Sequence, residues 1–206
     1  MKTLALTPAT HASCLRQAAD LLLSGGVVVI PTDTVYGLAA HPAHAAAVRR
    51  LYTIKGRQES KPIALLATDA TAVQQFGAQL APVAVQLAAA FWPGALTLVL
   101  ACANGPQEGF RVPAHDWTRA LLTACGGVLR VTSANLSGAL PAVRALAALQ
   151  DVGLDADLVI DDGTSPGGTA STVVRVVTGE VEILRPGAIR EEALAAVVRG
   201  QGVGVR

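Results

Sequence analysis

The sequence is poor in aromatic and in charged residues, and both shortages limit what kind of protein it encodes. Aromatic residues make up 3% of the 206 residues and charged residues 15%, whereas hydrophobic residues make up 51%. A core of this composition is built from Ala, Val and Leu, and it suffices for one large domain or two small ones. The formal net charge of +1 argues against a dedicated binder of polyanions, because such proteins carry a strongly basic surface.

Cysteine and histidine are also scarce, and neither is spaced as metal sites require. Cys14, Cys102 and Cys125 lie far apart in the sequence, which predicts reduced thiols in a cytoplasmic protein. His41 and His44 are three residues apart, but no cysteine or carboxylate cluster accompanies them. The pattern favours structural or solvent-exposed histidines, and we predict no metal site.

Long uninterrupted apolar runs are missing as well. Residues 70–107 contain no charged residue, but glutamines, Pro82, Pro93 and Gly94 divide them into short pieces. A helix that spans a membrane needs about 20 consecutive apolar residues. We therefore expect no membrane segment, and the N-terminal residues show no clear signal peptide.

Apolar strands that alternate with helical segments indicate the fold class. Strands are predicted at residues 27–30, 63–66, 96–100, 110–112, 128–131, 158–160, 172–177 and 181–184. Helices are predicted at residues 12–24, 43–54, 70–76, 82–91, 115–125, 143–149 and 190–198, and loops at residues 32–37 and 104–109. Strands that are apolar on both faces need helices on both sides. The pattern predicts one α/β domain over residues 1–206, with a core of about 10–200 and a mixed, twisted, open sheet.

Polar residues follow several of these strands. A loop from Thr32 to Tyr36 follows the first strand, and Lys55, Arg57 and Lys61 lie close together after the next helix. Three further short polar loops begin at Arg111, Ser133 and Arg185.

These loops share a chemistry that suits anions. Hydroxyl groups, free backbone N–H groups and guanidinium groups bind phosphate and carboxylate oxygens. Neither the P-loop signature nor the glycine pattern of dinucleotide-binding proteins is present. The residues therefore indicate a site for an anionic, phosphorylated ligand. For Lys55, Arg57 and Lys61 an ordinary solvated loop remains the alternative.

Seven short motifs in series resemble those of the YrdC-type threonylcarbamoyl-AMP synthases. They are PTDTVYGL (31–38), KGRQESKP (55–62), WPGALTLVL (92–100), RVPAH (111–115), SANLSG (133–138), STVV (171–174) and ILRPG (183–187). The matches run in order over nearly the whole chain, which looks like the short, single-domain form with a YrdC-like fold.

The resemblance implies an enzyme, an L-threonylcarbamoyladenylate synthase. It would convert L-threonine, bicarbonate and ATP into threonylcarbamoyl-AMP and pyrophosphate, with magnesium accompanying ATP. The product would serve a downstream tRNA-modifying transferase complex that forms threonylcarbamoyladenosine, and tRNA itself would be a weak ligand.

The resemblance also assigns roles by motif position. The implied catalytic residues are Lys55 and Arg57. The implied threonine-binding residues are Thr34, Leu66, Arg111 and Ser171, with Arg111 paired to the threonine carboxylate. The implied nucleotide-binding residues are Arg57, Lys61, Ser133 and Arg185, while Asn135 is expected to fix its own loop.

Several positions depart from the family pattern and keep other interpretations open. Leu66 stands where some members have a histidine that helps to hold threonine, and Gln58, Gln107 and Ala170 also replace the usual residues. A paralogue that uses another substrate, or an RNA-binding module, is the alternative function. The related domain of hydrogenase-maturation carbamoyltransferases is a further candidate, but those chains are much longer and carry zinc-finger cysteines.

Overall fold

One ten-stranded mixed sheet runs through the computed structural model, which describes residues 2–103, 105–177, 180–199 and 204–205. The strands are β1 (Lys2–Ala5), β2 (Val27–Ile30), β3 (Gly37–Ala40), β4 (Leu65–Ala67), β5 (Leu96–Cys102), β6 (Gly105–Arg111), β7 (Val128–Ser133), β8 (Leu158–Asp161), β9 (Thr172–Val177) and β10 (Glu180–Arg185). The helices are α1 (His11–Leu23), α2 (Ala45–Lys55), α3 (Ala70–Gln75), α4 (Pro82–Phe91), α5 (Asp116–Ala124), α6 (Ala145–Asp151) and α7 (Glu191–Val198), with a 3-10 turn at Gly153–Asp155.

The strand order is β1-β8-β2-β3-β7-β4-β6-β5-β9-β10. Over the described residues, the sheet contains four parallel pairs (β1 with β8, β2 with β8, β4 with β6, β5 with β9) and five antiparallel pairs, such as β2 with β3 and β4 with β7. The predicted α/β class with a mixed sheet is therefore confirmed.

Three apolar clusters hold the helices against the sheet, and they consist mainly of Ala, Val and Leu, as the composition requires. Helices α1 and α5 pack on β2, β8 and β7 through residues such as Leu22, Leu121 and Leu129. Residues of α2 and α6 pack with Val27, Val29 and other residues on the opposite face of β2. Because β2 faces both clusters, all four of its residues are buried, as its unbroken β-branched sequence predicted.

Besides the short strand β1, the prediction missed β3, and it wrongly assigned part of β6 to a loop. Strand β3 reads Gly-Leu-Ala-Ala, which favours helix or turn by local propensity, yet it pairs with β2 and β7 and is fully buried. Strand β6 begins at Gly105 with Gly-Pro, which is typical of a turn, but pairing with β5 extends it to Arg111. In both cases neighbouring strands override the local preference. Asn104 lies outside the described residues, and so do residues 178–179 between the strands predicted at 172–177 and 181–184.

The histidines and cysteines take structural positions. His41 lies 3.1 Å from the carbonyl oxygen of Cys125, and His44 lies 2.7 Å from that of Leu23. All three cysteines are free thiols. In the described part of the chain, no helix has the length and apolar character needed to cross a membrane.

Candidate active site

A cavity of about 470 Å³ opens over the central strands. Small residues keep the sheet surface open: a Cβ on Gly37 would lie 2.6 Å from Val131 Cγ1, and one on Gly109 would lie 3.2 Å from Ala64 Cβ. Seven of the nine predicted site residues line the cavity, and each comes from a different segment of the chain: Thr34, Arg57, Leu66, Arg111, Ser133, Ser171 and Arg185. The predicted residues that do not line it are Lys55 and Lys61.

Arg111 is a buried guanidinium held on three sides. Its Nε donates to the Gly94 carbonyl oxygen at 2.9 Å, its Nη1 donates to Thr34 Oγ1 at 2.8 Å, and its Nη2 donates to the Asp33 carboxylate. Burial lowers the pKa of Arg111, and the Asp33 charge opposes that shift. These contacts orient the guanidinium while leaving one N–H on each Nη atom for a ligand carboxylate.

Asp33 is a site residue that the sequence interpretation missed. Its side chain is 12% exposed and forms an ion pair with Arg111. A carboxylate between two buried threonines needs a cation, and this requirement is the signal that could have identified it. Thr32 completes the turn, because its Oγ1 donates to the Val35 carbonyl oxygen at 2.7 Å and lies 3.1 Å from Thr34 Oγ1.

Ser171 lies across the cavity in a second polar group. Its Oγ is 2.8 Å from Thr97 Oγ1, and Arg185 Nη2 donates to the Ser171 carbonyl oxygen at 2.7 Å. Thr97, in strand β5, lines the cavity although the family resemblance assigned it no role. Gly187 allows the chain after Arg185 to lie close to Ala170 and Ser171, since a Cβ on Gly187 would lie 2.5 Å from the Ala170 carbonyl oxygen.

Three arginines, Arg57, Arg111 and Arg185, give the cavity a positive potential. Burial lowers the pKa of Arg185, and the charges of Arg57 and Arg111 lower it further. Among the described residues, Arg111 is the only one of these three arginines that forms an ion pair with a carboxylate. Arg175 at the cavity wall is paired with Glu182. Excess positive charge in a shielded cavity favours a ligand with several negative charges.

Arg57 belongs to the basic loop, defined here as residues 57–63, which leads from α2 toward β4. Its Nε donates to the Lys61 carbonyl oxygen at 2.8 Å and its Nη2 to that of Pro62 at 3.1 Å. These contacts fold the loop back on the arginine that lines the cavity. Lys61 is exposed and contributes its carbonyl group to this arrangement.

Lys55 lies beneath the cavity wall rather than on it. The residue is 3% exposed, and its Nζ donates to the Asn135 carbonyl oxygen at 2.5 Å and to the Ser133 carbonyl oxygen. In return the Ser137 N–H donates to the Lys55 carbonyl oxygen at 2.9 Å. The ammonium thus fixes the loop that carries Ser133. The phosphate contact that the resemblance implies for Lys55 stays a prediction.

Asn135 fixes the same loop from the other side. Its Nδ2 donates to the carbonyl oxygens of Leu136 at 2.8 Å and Ala139 at 2.9 Å. This agrees with the expectation that Asn135 orders its own loop.

The protonation of Lys55 should make stability depend on pH. Burial, and then the charge of Arg57, lower the pKa of Lys55 from 10.5 to about 8. Between about pH 8 and pH 10.5, Lys55 therefore binds more protons in the unfolded chain than in the folded protein. The free energy of unfolding should rise with pH over this range. Relative to Lys55→Met, the wild-type protein should gain stability from pH 8 to pH 9.5 in urea unfolding. A constant difference between the two proteins would contradict the lowered pKa.

Comparison with known proteins identifies the family. Residues 20–187, more than half of the chain, match the sequence model of the Sua5/YciO/YrdC family, described as telomere recombination. The chain belongs to this family. It is 34% identical over 194 residues to the threonylcarbamoyl-AMP synthase of Bacillus subtilis, a match that covers 89% of the chain and 56% of that protein.

Other family members match over more of their length. The putative threonylcarbamoyl-AMP synthase of Mycobacterium tuberculosis is 34% identical, with 88% of this chain and 87% of that protein covered. The human threonylcarbamoyl-AMP synthase is 35% identical, with 92% and 72% covered. The chain thus spans little more than half of one relative and most of the others.

Solved structures of the family share the fold. Pyrococcus abyssi Sua5 complexed with L-threonine has a TM-score of 0.88 and 27% identity, and the match covers 100% of this chain and 62% of that one. Escherichia coli YciO has a TM-score of 0.83 at 22% identity, with 94% and 98% covered. The predicted family and the YrdC-like fold are therefore confirmed.

Proposed function

We propose that this protein is a threonylcarbamoyl-AMP synthase, which joins L-threonine, bicarbonate and ATP and releases pyrophosphate. The observation that carries the proposal is the convergence of Arg57, Arg111 and Arg185 on one cavity also lined by Thr34 and Ser171 hydroxyls. A relative in this family binds L-threonine in its solved structure, which supports threonine as the amino acid.

Two of the three reactants, threonine and ATP, have matching groups in the cavity. Arg111, oriented by Asp33 and Gly94, is placed to bind the threonine carboxylate, with Thr34 and Ser171 beside it. Arg57 and Arg185 are the cations available to the phosphates of ATP. This division separates the amino acid from the triphosphate while both lie in one cavity.

The chemistry requires charge stabilisation more than a protein nucleophile. The threonine amine and bicarbonate form a carbamate with loss of water, and a carbamate oxygen attacks the α-phosphorus. A P–O bond forms there as the bond to pyrophosphate breaks, so negative charge moves onto the leaving group. Fixed guanidinium groups stabilise that charge without reorganising, which is the main contribution we assign to the protein.

Magnesium would enter with ATP as the counter-ion of its phosphates. Within the described residues, no three His, Cys, Asp or Glu side chains are grouped so that they could hold a metal ion. We therefore assign the ion to the nucleotide rather than to a protein site.

The product and its destination complete the proposal. A threonylcarbamoyl adenylate is a reactive mixed anhydride, which would pass to a transferase complex that modifies tRNA in the cytoplasm. The net charge of +1 suits a protein that binds tRNA at most weakly.

Leu66 is the observation that favours a second candidate, a paralogue that uses another amino acid. It lines the cavity, is 5% exposed and pairs with Arg111 in the β4–β6 register. An apolar side chain there contacts a methyl group but cannot bond a hydroxyl. Such a site discriminates weakly between threonine and an apolar isostere.

Mass spectrometry of the product tests both candidates. The protein, ATP with magnesium, threonine and ¹³C-labelled bicarbonate should yield threonylcarbamoyl-AMP that carries the label. Parallel reactions with serine or valine in place of threonine should yield much less. A labelled adenylate formed mainly from another amino acid would replace the first proposal with the second.

A further inference from the structure

A partly buried ion pair lies beside the basic loop, outside the seven motifs. Arg130 of β7 and Glu108 of β6 form two hydrogen bonds, Nη1 to Oε2 at 2.6 Å and Nη2 to Oε1 at 2.5 Å. Their side chains are 18% and 15% exposed. The hydrogen bond to Glu108 raises the pKa of Arg130, which keeps the guanidinium charged.

The Arg130–Glu108 pair lies next to the residues that immediately precede β4. Strand β4 lies between β7 and β6, and Leu65 is opposite both Arg130 and Phe110. Arg130 Nη1 also donates to the Ile63 carbonyl oxygen at 2.8 Å. The guanidinium therefore holds the last residue of the basic loop as well as Glu108.

Two arginines consequently hold three successive carbonyl groups. Arg57 binds the carbonyl oxygens of Lys61 and Pro62, and Arg130 binds that of Ile63. Residues 58–62 are exposed, so little packing restrains them. The loop is thus fixed at one end by the arginine that lines the cavity, and at the other by the ion pair together with the buried Ile63 side chain.

We propose that Arg130, oriented by Glu108, is a positioning residue that sets the place of Arg57 in the cavity. The kinetic effect expected from this inference rests on the proposed function. The positioning itself requires only that Arg57 binds an anion. Replacing such an ion pair by apolar side chains often leaves stability unchanged. Because Arg130 also donates to the Ile63 carbonyl oxygen, the ion pair should influence the position of the basic loop as well as stability.

The chain offers a matched control in Arg50. Arg50 binds Asp157 through Nη1 at 2.9 Å and Nη2 at 3.2 Å, and its Nη2 donates to the Asp155 carbonyl oxygen at 3.0 Å. It makes the same set of contacts as Arg130, a carboxylate and a backbone carbonyl. It does not line the cavity and does not contact the basic loop.

Steady-state kinetics of Arg130→Met and Arg50→Met in the full chain test the inference. Arg130→Met should raise the KM for ATP about tenfold and leave the KM for threonine within about twofold. Arg50→Met should change neither. An equal rise in both KM values for Arg130→Met, or the same rise for Arg50→Met, would overturn the positioning role.

Two additional measurements keep the test decisive if Arg130→Met folds poorly or if the synthase proposal fails. Glu108→Gln keeps an acceptor for Arg130 but removes the charge, so it should raise the KM for ATP about threefold. Calorimetric binding of pyrophosphate, which needs no turnover, should weaken in the order wild type, Glu108→Gln, Arg130→Met. Unchanged pyrophosphate affinity in both variants would overturn the inference even if the wild-type enzyme is fully active.

Discussion

Removing the Arg111 guanidinium should raise the KM for threonine about a hundredfold, while the KM for ATP changes little. Charge-assisted hydrogen bonds to a carboxylate are among the strongest that a binding site makes, and Arg111 is buried where water cannot replace them. Its orientation is fixed by Gly94, Thr34 and Asp33, whereas the hydrogen bonds of Arg57 and Arg185 go to other residues.

The Arg111 guanidinium has to be removed without leaving the Asp33 carboxylate buried and unpaired. A single Arg111→Met replacement would do so, and the free energy of unfolding would fall by about 3 kcal/mol or more. The double variant Asp33→Asn with Arg111→Met removes both charges together. Initial rates across threonine and ATP concentrations then separate the two KM values. A parallel rise in both would place Arg111 outside the threonine site.

Replacing Arg57 by methionine should lower kcat/KM for ATP about a thousandfold. Arg57 lines the cavity, and among the described residues it has no carboxylate in an ion pair. Its charge is therefore available to the phosphates as pyrophosphate leaves. Loss of one preorganised donor to a developing anion typically costs a factor of about a hundred to a thousand in rate.

The matched control for Arg57 is Arg49→Met on α2. Arg49 is exposed and lies eight residues earlier in the chain, so its loss removes the same charge without altering the cavity. Both variants should keep the wild-type circular dichroism spectrum. If Arg57→Met retains more than about a tenth of the wild-type kcat/KM, Arg57 does not stabilise the leaving group.

The fold could be predicted where local pattern and tertiary environment agree. Strand β2 is an unbroken β-branched run and helix α4 begins at a proline, and both were predicted with their observed bounds. Strands β3 and β6 carry Gly, Ala and Pro, whose local preference points away from strand. Pairing on both sides makes them extended: β3 lies between β2 and the distant β7, and β6 lies between β5 and the distant β4. A local pattern cannot show which distant strand completes each set of pairs.

The site was predictable as a set of residue types but not as a set of contacts. The motifs indicated Thr34, Arg111, Ser171 and Arg185, which do meet in one cavity. They could not show that the Lys55 ammonium turns to the carbonyl oxygens of Ser133 and Asn135. The direction of a long side chain depends on which segments fold against it, and here those segments are nearly eighty residues away.

Release of pyrophosphate from ATP, measured with threonine and bicarbonate each present or omitted, tests the central claim most directly. The account predicts release only when both are present, together with its loss in Arg57→Met. Release that proceeds at the same rate without threonine, or no release by the folded wild-type protein, would contradict it.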